Sequence, residues 1–167
     1  MSAALLPRFF TEVDYDRSMS SLHQHRRLNL SYPAARSALH RKLAPLAASA
    51  RASRIELRLH LPLLKASRDV EARFAAAEDR LRFDELWSIN WHPYGDGPFP
   101  DFEGTIAVRS REDGSCELEL DGSYEPPLGH FGKLFDAVLG ARIASATARE
   151  FLADLATQIE HDGVENG

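Results

Sequence analysis

The side chains in this sequence that could do chemistry are few and dispersed. Glu85 is the oddest. Alternation through Phe83, Glu85 and Trp87 turns its carboxylate toward the apolar side of its segment. Desolvation there would raise its pKa and make it a proton donor or an anchor for a ligand hydroxyl. A bulge between Asp84 and Leu86 would instead return Leu86 to the interior and Glu85 to water, and the sequence leaves both open. Trp87 and Trp91 share the inner face of the same segment and offer flat apolar surface, either to a ligand or to the core. Tyr124 closes another segment just before Pro126-Pro127, where its hydroxyl meets a ligand or the local backbone. His92 with Asp96 or Asp101 has the makings of an acid–base pair at a cavity entrance, although a loop histidine is ordinarily solvated. His130 reads as a surface or capping residue at a helix start.

His23-x-His25 would hold a metal only with a third ligand from elsewhere, and it falls in a segment expected to be flexible, so no metal site is assigned. Cys116 has no recognisable base partner and reads as a buried thiol. There is no Gly-rich phosphate loop, zinc-ligand spacing or nucleophile elbow. No cofactor is expected and no catalytic residue is assigned.

The elements that must position these groups are more legible. Met1 to His25 reads as an N-terminal arm, with Phe9 and Phe10 available for packing on the domain or on a second copy in a homodimer. Arg27 to Tyr32 alternates and predicts a first strand. Pro33 suits a helix start, and Ala34 to Ala50 is rich in helix formers but interrupted by Pro45, which predicts two short helices breaking near Ala44. Strands follow at Ile55–Leu61, Val70–Ala76, Leu81–Trp91 and Phe102–Val108. Glu112-Asp113-Gly114-Ser115 signals a hairpin, after which Cys116, Leu118, Leu120, Gly122 and Tyr124 share one face. Phe131 to about His161 has helical spacing through Phe131, Leu134, Phe135, Val138, Ala141, Ser145, Ala148, Leu152, Leu155 and Ile159, with Gly163 as a left-handed cap.

Composition bounds the class. The 167 residues suit one domain, read as an arm over 1–25, a folded unit over 26–161 and a tail over 162–167. A net charge of −5 without a clustered basic face disfavours nucleic acid. The single cysteine suits a reducing compartment, no apolar run approaches a membrane span, and the first ten residues lack a signal-peptide pattern, so a cytoplasmic protein is expected.

Six antiparallel strands would make a sheet about 30 Å wide, whereas one helix is only about 10 Å across. The sheet must curl, and Gly104 and Gly122 fall at inward positions where bending is easiest. Ala141, Ala144, Ser145 and Ala148 would leave space beneath the helix. The hollow so formed would be lined by Phe74, Glu85, Trp87, Trp91, Phe102, Leu120, Tyr124 and Phe135, or filled by its own aromatic residues.

From about Arg26 to His161 this order resembles the START-like, birch-pollen-allergen-like superfamily, also called SRPBCC, which includes polyketide cyclase-like proteins. Gly122 to Asp136 is similar to the strand-to-helix junction of bacterial members, Gly-x-Tyr-x-Pro-Pro-x-Gly-x-x-Gly-x-x-x-Asp. The resemblance implies an α+β helix-grip fold: a curved antiparallel sheet of about six strands around a long C-terminal helix, with two short helices after the first strand. It does not choose a function, because the superfamily spans lipid carriers, cyclases, hydroxylase domains and chaperone co-factors. The leading expectation is a carrier or sensor for a small hydrophobic molecule such as a lipid, polyketide or isoprenoid. A cyclase or aromatase acting in the same cavity and a protein-interaction module are the alternatives.

Overall fold

The computed structural model describes residues 19–49, 51–78, 85–95, 97–125 and 137–164. In chain order the elements are β1 (Ser20–Leu28), α1 (Tyr32–Ala48), β2 (Ser53–Leu61), β3 (Leu64–Glu78), β4 (Glu85–His92), β5 (Asp101–Ser110), β6 (Cys116–Glu125) and α2 (Ala137–Val164). The strands form one antiparallel sheet in the order β1-β6-β5-β4-β3-β2. Every strand from β2 to β6 pairs with its neighbour in the chain, and β1 returns to pair with β6. The edges are therefore β1 and β2, and α2 packs against both of them. A sheet of six strands reaches one helix with both edges only by curling around it, which is the helix-grip arrangement.

Two glycines allow the curl. Gly104 and Gly122 are cross-strand partners on β5 and β6. A Cβ on Gly104 would overlap the Asp121 carbonyl oxygen and lie 2.9 Å from Gly122 Cα. One on Gly122 would overlap the Glu103 carbonyl oxygen and lie 2.6 Å from Gly104 Cα. The Phe102 ring lies across both, covering the backbone that they leave bare. At the β5–β6 turn, Gly114 takes φ +79°, and Arg111 N–H donates to the Ser115 carbonyl at 2.8 Å, as the hairpin signal predicted.

Polar clamps tie both edges to α2. On β2, Arg58 Nε donates to Asp154 Oδ2 at 3.0 Å and its Nη2 reaches Oδ1, while His60 Nδ1 lies 3.5 Å from Glu150 Oε2. Just beyond β1, Asn29 N–H donates to Glu160 Oε1 at 2.7 Å. Buried Ala35, Ala38, Leu39 and Leu43 form one face of α1, which packs against α2 and β3.

Several expectations need correction. The first strand is Ser20–Leu28, not Arg27–Tyr32; Tyr32 begins α1, and His23 and His25 belong to the sheet rather than to an arm. Between buried Leu22 and Leu28 this edge strand carries only polar residues, so its apolar pattern is weak and its place is set by pairing with β6. One helix, not two, follows it. Pro45 falls in the last turn, where loss of one N–H precedes only three more helical residues. Ala76 is exposed, because β3 there runs past the start of β2. In α2 the stripe through Val138 and Ala141 is one position out of phase. Both are exposed, Val138 at 63%, and Gly140, Ile143, Ala144 and Thr147 face inward instead. Gly163 lies within α2 and is no left-handed cap; a Cβ there would sit 2.8 Å from a Leu30 methyl, so glycine permits close packing. Phe9, Phe10, Leu81, Phe83, Asp84, Pro126-Pro127, Phe131, Leu134 and the junction motif beyond Glu125 lie outside the described residues. Among the described residues, no helix is long and apolar enough to cross a membrane.

Candidate functional site

A cleft of about 570 Å³ lies between α1, the start of β2 and the C-terminal half of α2. Leu43 and Leu46 come from α1, Ile55 from β2, Phe74 from β3, and Phe151 and Leu155 from α2. Alternation on β2 and β3 and the 3.6-residue period of the helices converge these six apolar side chains on one space. Charged and polar groups ring it: Lys42, Arg54, Glu56, Arg58, Asp154, Thr157 and Gln158. The guanidinium of Arg58 is committed to Asp154. Among the described residues, Arg54 makes a long contact, 3.9 Å, to Asp69.

The expected lining residues divide into distinct groups. Phe74 lines the cleft. Trp91 stacks on Phe102 at 4.4 Å between ring centres and meets Phe151 at 5.4 Å, while its Nε1 donates to the Pro100 carbonyl at 3.0 Å. Those three rings bridge sheet and helix, filling part of the hollow expected under the middle of α2; the cleft lies to the β2 side, behind Phe151. Leu120 and Tyr124 are buried in the same core. Phe135 lies outside the described residues.

Glu85 pairs in regular register with Glu78, Leu86 with Ala77 and Trp87 with Ala76, so β4 has no bulge against β3 from Glu85 onward; Asp84 lies outside the described residues. Its carboxylate meets His40 Nδ1 of α1. The His40 ring also stands edge-on to Trp87 at 5.6 Å. From Glu85 onward the strand keeps Glu85 on the Trp87 side, but Glu85 lines a separate polar recess of about 380 Å³ with Arg36, His40 and Arg41. Trp87 is 2% exposed, and among the described residues its Nε1 has no hydrogen-bond partner; the same holds for Oγ1 of fully buried Thr147.

Of the possible acid–base pairs, His92 and Asp101 do meet, Nδ1 to Oδ1 at 2.7 Å, but on an exposed rim with His92 edge-on to Tyr94. Asp96 and His130 lie outside the described residues. Cys116 is buried, and its Sγ–H donates to the Leu30 carbonyl at 3.2 Å. Burial pushes this thiol pKa up, and the charge of Glu160 adds to the shift. On the convex face, the hydrogen bond from His23 to Asp121 pushes the imidazole pKa up, with the Asp121, Glu119 and Glu117 charges adding and slight burial opposing.

Sequence reasoning missed Leu43, Leu46, Ile55, Phe151 and Leu155 as cleft residues. The signal for Phe151 was present: with Ala144, Thr147, Ala148 and Leu155 it completes a stripe of 3.6-residue period. No signal announced that α1, packed on α2 and β3, would leave a cleft beside the start of β2.

No protein-family model matches the sequence, and no curated protein sequence matches it. Solved structures with a similar arrangement include an Arabidopsis thaliana member of the major latex protein family, with 11% identity over 88% of this chain and 95% of the other, at a TM-score of 0.47. Norcoclaurine synthase from Thalictrum flavum shows 16% identity over 99% of both chains, at 0.46. Human STARD10 shows 15% identity over 90% of this chain and 65% of the other, at 0.39. Strand order and the contact of α2 with both sheet edges are what define the architecture: the chain has a helix-grip fold.

Proposed function

We propose that this chain binds a small, mainly apolar molecule in the cleft between α1, β2 and α2, acting as a carrier or sensor. The observation that carries this reading is the cleft itself: about 570 Å³, with an apolar floor of Leu43, Leu46, Ile55, Phe74, Phe151 and Leu155. That volume falls within the range of small-molecule sites, and an apolar body with a few polar groups at the mouth is their usual composition. A ligand body of about 150 Å² buried on this floor would gain about 4 kcal/mol at 25 cal/mol per Å². Lys42 and Arg54 at the rim favour a molecule with a carboxylate or phosphate at one end, such as a fatty acid or an isoprenoid phosphate.

A cyclase or aromatase reading has less support. Such chemistry needs an acid or base facing the ligand, and Glu85, Tyr124 and His92 do not line the cleft. Thermal-shift measurements on tag-free protein with a panel of C8–C16 fatty acids and isoprenoid phosphates test the proposal. The expected result is a saturable rise in Tm for at least one amphiphile, lost in Leu46→Glu while that variant stays folded. Absence of binding across the panel, or identical binding by Leu46→Glu, would refute it.

A further inference from the structure

The outer face of the β1–β6 edge carries a second cluster with chemistry of its own, independent of the cleft. Buried Leu22 and Leu28 show which side of β1 faces the core, and exposed His23 and His25 share the opposite side two residues apart. The antiparallel register sets His23 opposite Asp121 and His25 opposite Glu119. His23 Nδ1 already contacts Asp121 Oδ1, and the His23 and His25 ring centres are 5.9 Å apart. One ligand atom from each of His23, Glu119 and Asp121 falls within 4.8 Å of the others. Glu119 is oriented from behind: its Oε1 accepts from Arg109 Nε at 3.2 Å, leaving Oε2 for another partner.

We propose that His23, His25, Glu119 and Asp121 form a binding site for a divalent transition metal of the zinc class. Metal–nitrogen and metal–oxygen bonds of about 2.1 Å place tetrahedral ligand atoms about 3.4 Å apart. His23 is exposed and Glu119 and Asp121 are half-buried at the surface, so side-chain rotation is the adjustment that would bring their ligand atoms from within 4.8 Å to that spacing. Two neutral imidazoles and two carboxylates suit Zn²⁺, Cu²⁺ or Ni²⁺, whereas Mg²⁺ and Ca²⁺ prefer all-oxygen sites. The His23–Asp121 contact places a carboxylate where it compensates an incoming cation. The Arg109–Glu119 bond is an outer contact of the kind that holds a metal-ligating carboxylate in place.

The test uses full-length, tag-free, chelator-treated protein titrated with ZnCl₂ by calorimetry, with histidine side-chain NMR on the same samples. The expected result is one saturable Zn²⁺ site whose binding shifts the His23 and His25 ring signals. Affinity should fall at least about tenfold in His23→Gln and in Asp121→Asn, and stay at the wild-type value in His60→Gln, which alters a histidine on the opposite edge. MgCl₂ and CaCl₂ should give no saturable heat. Absence of a saturable Zn²⁺ site, wild-type affinity in both cluster variants, or saturation without change at His23 and His25 would each overturn the proposal. If a variant fails to fold, the wild-type ring signals decide alone.

Discussion

Replacing Phe151 by Ala strikes the wall between the aromatic core and the cleft, so it tests both at once. The Phe151 ring is almost fully buried, touches Trp91 at 5.4 Å and lines the cleft on its other side. An aromatic side chain of this kind buries about 150 Å² or more, worth about 4 kcal/mol at 25 cal/mol per Å². Water can enter the space from the open cleft, so the cavity penalty that accompanies a sealed void is largely absent. The expected loss is therefore about 3 kcal/mol, at the low end of the Phe→Ala range. For a chain of this size that corresponds to a fall in Tm of about 6–12 °C. Urea denaturation followed by tryptophan emission measures it, and native emission should shift to the red as water reaches Trp91. A loss below about 1 kcal/mol with unchanged emission would refute the placement of Phe151 between core and cleft.

Gly122→Ala should destabilise by about 3 kcal/mol in denaturant titration, because its Cβ would overlap the Glu103 carbonyl and the neighbouring strand cannot retreat without losing its ladder. Asp154→Asn should lower Tm at low ionic strength, with the deficit shrinking at 1 M NaCl, because the Arg58–Asp154 clamp is partly exposed and screened by salt. The raised thiol pKa of Cys116 predicts a specific pH dependence. The unfolded thiol ionises near the ordinary value of about 8.5, while burial moves ionisation of the folded thiol to higher pH, so stability falls as pH rises through that range. Comparing Tm at pH 7.5 and 9.5 should show a steeper fall in wild type than in Cys116→Ala, and equal slopes would contradict the assignment. In the native state Cys116 should also react with a disulfide reagent at pH 8 far more slowly than in urea.

Local pattern determined a great deal here. Ile55–Leu61, Phe102–Val108 and Cys116–Tyr124 alternate strongly, and each lies within a strand. The turn at Gly114 and the inward glycines on β5 and β6 were equally legible, because φ sign and the absence of Cβ are properties of single residues. Placing strands and one long helix in that order leaves few ways to bury the apolar face, so a curled sheet around a helix followed from the chain alone. The phase of α2 was harder: its first turns carry mostly small or exposed apolar residues, so the pattern there lacks contrast, and Ile143 rather than Val138 turns inward.

The two candidate sites belong to the other class. The cleft joins Leu46, Ile55, Phe74 and Phe151 from four different elements, and the convex cluster joins His23 and His25 to Glu119 and Asp121 across the closing β1–β6 pair. Each needs groups far apart in the chain to meet, and such meetings are set by strand register and by how helices cross sheet edges. Periodicity reports which way a side chain faces along its own element. Only the packed fold decides what it faces.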